Sequence, residues 1–185
     1  MLKLILALIL SLAGVLVLGP RVIPVLRKLK FGQTVYELGP QSHKTKQGTP
    51  TMGGLMFVLT TCLAAAVFIG NWYGKWDFTL ALIGVSLLTM LVGFVDDYIK
   101  VVKKRNLGLI WWQKVVAQVV ISLAFSWYCY KHPMIGSSVI VPFFNVEWDL
   151  GAFYVPLMTL AMIFMVNSAN LQDGLDGLLS SVSVI

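Results

Sequence analysis

Two adjacent aspartates, Asp96 and Asp97, close an apolar run and precede Lys100 by one helical turn in a region otherwise dominated by lysine. Carboxylates placed this way can move a proton or share a divalent cation. Mg²⁺ in particular takes one or two carboxylates and fills its remaining positions with phosphate oxygens and water. The plain alternative is an exposed ion pair between Asp96 and Lys100, worth about 0.2–0.5 kcal/mol, which leaves Asp97 without a reason. Both carboxylates also oppose the dipole at the C-terminal end of their helix. A bound cation, with Asp96 and Asp97 as its ligands, removes both difficulties. Ionisable residues at the boundary of a membrane span are functional candidates by default.

Two further polar clusters accompany the pair. Lys46-Gln47-Gly48-Thr49-Pro50-Thr51-Met52-Gly53-Gly54 precedes an apolar run. Thr49 can cap a helix that has Pro50 at its first position, and the glycines allow close helix packing. The same free amides, with Thr49, Thr51 and Lys46 beside them, can also hold an anion. The third cluster runs from Asn167 to Gly177 and contains Asn170, Asp173 and Asp176. It can be a capped polar turn, and it lacks the ligand spacing of an EF-hand loop. Each cluster alone is ambiguous, so their placement by the surrounding elements decides.

Those elements are membrane spans. Apolar residues form 58% of the 185 positions and charged residues 12%, with a mean hydropathy of +0.83, too little charge to cover a soluble domain. An all-α, polytopic transmembrane bundle follows, with expected spans at 1–18, 52–69, 78–95, 115–130 and 152–166, and a sixth beginning at Leu178. Trp111, Trp112, Trp127 and Tyr128 suit the interfaces at the ends of the fourth. The segment from Val139 to Leu150 is expected as a short outer β-hairpin. All 185 residues are expected to form a single transmembrane domain. Cys62 and Cys129 lie in apolar runs without metal-site spacing.

Charge asymmetry gives the orientation. Eleven basic residues, among them Lys46, Lys100 and Lys103, fall in the loops after the first and third spans, against three on the other side. The N-terminus is then expected outside, and all three polar clusters on the cytoplasmic face. The basic pI of about 9.4 reports this orientation and attraction to anionic membrane lipids, and no nucleic-acid binding is expected.

The three clusters, joined in order by further stretches, resemble the polyprenyl-phosphate N-acetylhexosamine-1-phosphate transferases. The similar segments are Gly39-Pro40-Gln41-Ser42-His43, Lys46 with Gly48 to Gly54, Asp96-Asp97-Tyr98-Ile99-Lys100, Lys103 to Leu109, and Asn170-Leu171-Gln172-Asp173-Gly174-Leu175-Asp176-Gly177. The first two favour the muramoyl branch over the branch that uses UDP-GlcNAc. The resemblance implies Mg²⁺-dependent transfer of phospho-MurNAc-pentapeptide from UDP-MurNAc-pentapeptide to undecaprenyl phosphate in the bacterial plasma membrane. UMP is released and the first lipid intermediate of peptidoglycan is formed, a step in cell-wall biogenesis on which cell shape and division depend.

In the roles that the resemblance implies, Asp96 and Asp97 are catalytic, deprotonating or orienting the lipid phosphate, and are the candidate metal ligands. Lys46, Thr49, Thr51, Lys100, Asn170, Asp173 and Asp176 bind substrate. A homodimer is compatible with it. Family members are longer, and a later aspartate and a histidine cluster have no counterpart here, where the histidines are His43 and His132. The chain is therefore expected to be the N-terminal half of such a protein, without transferase activity by itself. An inactive remnant is the other form this expectation takes. A transporter or channel would carry its carboxylates near mid-span, whereas these stand at span ends.

Overall fold

The computed structural model describes residues 2–28, 52–71, 74–103, 107–141, 144, 146–173 and 178–184. They form two compact units, Met1–Lys114 and Val115–Ile185.

In the first unit, α1 (Leu2–Lys28) packs on α2 (Gly54–Ala65), which ends in a π-helical turn at Ala66–Asn71, and α2 packs in turn on α3 (Trp76–Val102). The first expected span ends at residue 18, but α1 continues through Pro20 and Pro24. Each proline removes an amide and frees the carbonyl four residues earlier. Arg21 Nη1 donates to the neighbouring Val17 carbonyl at 2.9 Å. Glycine sets the approach of α1 to α2. A Cβ built on Gly14 would lie 2.6 Å from the Thr60 methyl carbon. That methyl faces Gly14 while the Thr60 hydroxyl bonds back to the Met56 and Phe57 carbonyls. Ser86 and Thr89 of α3 likewise donate to carbonyls four residues earlier, which satisfies both hydroxyls within the helix.

In the second unit, α4 (Trp111–Lys131), begun in the last residues of the first, leads to an antiparallel hairpin of β1 (Ser138–Val141) and β2 (Val146–Asp149). A 3₁₀ turn at Gly151–Phe153 then opens α5 (Tyr154–Gln172), and the short α6 (Leu178–Val184) follows. The expected hairpin is present, with Val139 opposite Trp148 and Val141 opposite Val146. Cys129, Tyr154 and Val155 form a small core on which Phe125, Val139 and Met158 pack.

Five complete spans were expected. Among the described residues three helices are both long and apolar enough to cross a membrane: Leu2–Lys28, Trp76–Val102 and Gly151–Gln172. Gly54–Ile69 is apolar but shorter. α4 has the length, about 31 Å at 1.5 Å per residue for its 21 residues, but not the mean hydropathy. Its polarity is one-sided. Gln118, Ser122, Ser126 and Cys129 are buried, while Val116, Val120, Leu123 and Trp127 are exposed. Averaging over the helix hides this division, in which the polar stripe is turned inward.

Candidate active site

The last turns of α3 carry the carboxylate pair, and the structure gives its two members unlike surroundings. Asp96 is 8% exposed. Its Oδ2 lies 2.6 Å from Lys100 Nζ, and its Oδ1 accepts the Leu109 amide at 2.8 Å. Asp97 Oδ1 lies 3.1 Å from the same Lys100 Nζ. The side chains of Asp97 and Lys100 are each about a third exposed, at 34% and 36%. Lys114 adds positive potential at Asp96. Helical spacing accounts for this bridge, since Lys100 follows both carboxylates by one turn and reaches each from the same side. The ammonium also offsets the unfavourable placement of two anions at a helix C-terminus.

The plain reading of the pair needs correction here. Its Asp96–Lys100 contact exists, but Asp96 is buried rather than exposed, and Lys100 is shared, so Asp97 has a partner after all. Chemically, an ammonium beside two carboxylates suits a polyphosphate, whose oxygens can displace the intramolecular partner of Lys100. A divalent cation fits this donor set through the exposed carboxylate of Asp97. Asp96 contributes only the lone pairs that Lys100 and Leu109 do not use. Among the described residues no three histidine, cysteine, aspartate or glutamate side chains gather as a ready-made metal cage, which suits an ion that takes few protein ligands.

Lys46, Thr49, Thr51 and Asp176 lie outside the described residues. The helix after the first cluster begins later than expected. Met52 has a φ of 68°, in the left-handed region, and α2 starts at Gly54 with Gly53 as its N-cap. A left-handed Met52 cannot continue a right-handed helix, so α2 does not extend back through it; the expected cap at Thr49 and Pro50 lies outside the described residues.

In the second unit, Asn170 occupies the exposed last turn of α5, and the exposed Asp173 is the C-cap residue, its amide bonded to the Ala169 carbonyl at 3.1 Å. One turn before Asn170, Asn167 Nδ2 donates to Gln118 Oε1 and to the Ile163 carbonyl, both at 2.8 Å. Gln118, Ser122 and Ser126, spaced four residues apart along α4, are buried, with Gln118 bonded to Asn167 and Ser126 Oγ 4.0 Å from Met162 Sδ. Their spacing marks a helix contact, and the partner is α5. Gly108 and Leu109 are contributors to which the sequence assigned no role beyond their place in the stretch from Lys103 to Leu109.

Comparison with known proteins places these features among relatives. The model of glycosyl transferase family 4 matches residues 79–185, and the phospho-N-acetylmuramoyl-pentapeptide-transferase signature 1 matches residues 46–58. The phospho-N-acetylmuramoyl-pentapeptide-transferase of Heliobacterium modesticaldum is 45% identical over 98% of this chain and 55% of its own length. Those of Clostridium perfringens and Thermoanaerobacter sp. are 41% and 43% identical over 99% of this chain, and over 55% and 56% of their own. The chain thus spans about half the length of the curated relatives it matches.

Proposed function

This chain belongs to glycosyl transferase family 4, and from that premise we propose that it supplies the lipid-phosphate side of a site that transfers phospho-MurNAc-pentapeptide from UDP-MurNAc-pentapeptide to undecaprenyl phosphate. The observation that carries the proposal is the signature match at residues 46–58, in a chain whose next polar cluster is the Asp96–Asp97–Lys100 bridge. The same match favours the muramoyl substrate over UDP-GlcNAc.

In this reaction an oxygen of the lipid phosphate attacks the sugar-linked phosphorus of the nucleotide. The bond from that phosphorus to the bridging oxygen breaks, and UMP leaves with the bridging oxygen and its electron pair. Asp97, the more accessible carboxylate, takes up a proton from a protonated lipid phosphate or orients the ionised one. Lys100 lies between both carboxylates and moves onto phosphate oxygens as charge gathers there. Asp96, fixed by the Leu109 amide, keeps the Lys100 ammonium over the site. Asn170, Asp173 and Asp176, and Lys46, Thr49 and Thr51, bind the nucleotide sugar in the roles that the resemblance implies. Mg²⁺ held by Asp97 with Asp96 would neutralise pyrophosphate charge when bound. The basic loops support a cytoplasmic site, with the N-terminus on the outer side of the plasma membrane. A lipid substrate explains the setting: its phosphate lies at the interface and its chain in hydrocarbon.

The test is Mg²⁺-dependent UMP release by the purified full-length protein. Asp97→Asn should lower kcat by about 10²–10⁴, the usual contribution of an acid–base group, while the protein remains folded. Wild-type turnover by Asp97→Asn would refute the role. Release with UDP-GlcNAc but not with the muramoyl substrate would move the chain to the other branch.

A further inference from the structure

Asp96 is held by a turn as well as by a lysine, and that turn admits no side chain at one position. The Leu109 amide, thirteen residues along the chain, reaches Asp96 Oδ1 at 2.8 Å. This contact is made because Gly108 lies directly against the aspartate. A Cβ built on Gly108 would come 2.6 Å from the Asp96 backbone carbonyl and 2.7 Å from its carboxyl carbon, and would overlap Oδ1 outright. Two of those three atoms belong to the carboxylate and one to the helix backbone. A rotamer change of Asp96 alone would leave the clash with its backbone carbonyl. The φ of Gly108 is not in the left-handed region, so glycine is needed here for space rather than for backbone freedom. The turn then leads into α4, where the Gln113 and Lys114 amides donate to the Ile110 carbonyl.

Resting on the transfer reaction assigned above, we propose that Gly108 and Leu109 are positioning residues for that reaction. The Gly108–Leu109 turn is a backbone latch that fixes the rotamer of the Asp96 carboxylate, and through its other oxygen the place of Lys100 Nζ between Asp96 and Asp97. Asp96 Oδ1 is committed to the latch and Oδ2 to the lysine. Freeing Oδ1 would let the carboxylate rotate, and the ammonium would follow it away from Asp97. A displacement of the order of 1 Å in a reacting or charge-stabilising group costs about 10²-fold in rate. The loss should appear in kcat with KM little changed, since Lys100 remains present and charged.

The test compares wild type with Gly108→Ala and with Leu109→Pro, which deletes the donating N–H without adding a Cβ at position 108. Ile110→Ala, at an exposed side chain of the same turn, is the control. Two readouts are taken on the same purified membrane protein. Labelling of Asp96 by a water-soluble carbodiimide, read by mass spectrometry relative to Asp97, reports the latch without any need for turnover. Steady-state UMP release reports its consequence. The expected result is slow Asp96 labelling in wild type and Ile110→Ala, and labelling faster by about tenfold in both latch variants, in line with loss of a hydrogen bond to a charged group. Their kcat should fall about 10- to 100-fold at nearly constant KM. Unchanged labelling in both latch variants would overturn the latch. Raised labelling with unchanged kcat would overturn its role in positioning. If one variant fails to fold, the other decides both questions. A wild type that releases no UMP, yet shows the labelling contrast, would leave the latch standing and overturn the positioning role together with the transfer reaction.

Discussion

The hydrogen bond between Gln118 and Asn167 should be asymmetric in what its loss costs. Gln118 is 5% exposed, and its Oε1 takes the Asn167 amide at 2.8 Å, while Asn167 is exposed and has a second acceptor in the Ile163 carbonyl. Gln118→Leu removes the buried polar group altogether and keeps a side chain of similar bulk. Asn167 then loses one acceptor but remains within reach of water. Hydrogen bonds between membrane helices average about 0.6 kcal/mol in double-mutant cycles, so this change should cost about 0.5–1 kcal/mol. Asn167→Ala does the opposite and strands an acceptor at a buried position, a loss of about 1–3 kcal/mol. Combining the two changes removes donor and acceptor together. The double variant should therefore be less destabilised than the sum of the singles by about 1 kcal/mol, roughly a fivefold difference in the unfolding equilibrium. Equilibrium unfolding in mixed micelles of rising denaturing-detergent fraction, followed by tryptophan fluorescence, measures all four proteins. Equal costs for the two single changes, or strict additivity in the double, would refute the bond as the link between α4 and α5. Under the role proposed for Asn170, which follows Asn167 by one turn, both single variants should also weaken nucleotide-sugar binding in KM more than in kcat.

Other outcomes follow from particular contacts. Gly14→Ala should cost about 1–3 kcal/mol by overpacking against the Thr60 methyl, whereas Gly84→Ala, where nothing lies near the added Cβ, should be neutral. Thr60→Ser removes that methyl and should rescue Gly14→Ala in the same unfolding titration; failure to rescue would refute the close approach. Single cysteines at Lys103 and Ser137 should react with a membrane-impermeant thiol reagent from opposite sides of intact cells, and labelling from one side would refute the orientation inferred from the basic loops. In the hairpin, the Ser137 hydroxyl and the Gly151 amide hold the Asp149 carboxyl below the ordinary aspartate range. A lowered folded pKa means that its contribution to hairpin stability is present above the ordinary value and is lost as pH falls through the lowered one. The Gly151 amide resonance should therefore titrate with a midpoint below about 3.9 and move upward in Ser137→Ala; a wild-type midpoint at or above the ordinary value would refute the contact.

What the sequence determined is what travels along the chain itself. Apolar runs of membrane length marked the long helices, because hydrocarbon admits backbone only with its hydrogen bonds internally satisfied. A mixture of β-branched and aromatic residues marked the hairpin, and the order of the polar clusters marked the family. The tertiary structure decided partners and faces. Asp96 and Asp97 are indistinguishable as a dipeptide, yet one is buried beneath a turn thirteen residues away and the other is left accessible, because Gly108 alone leaves room for that turn. The stripe of Gln118, Ser122 and Ser126 announced a helix contact from its spacing alone. That α5 makes it follows only from the folded distances between Gln118 and Asn167 and between Ser126 and Met162. Local rules also misplaced two helix ends. α1 continues through Pro20 and Pro24, and α2 begins at Gly54 rather than at Met52, which turns left-handed. Periodicity and charge are sums over neighbours in sequence, and they survive without coordinates. The identity of a hydrogen-bond partner across the fold is a property of distance, which the chain acquires only when its helices pack.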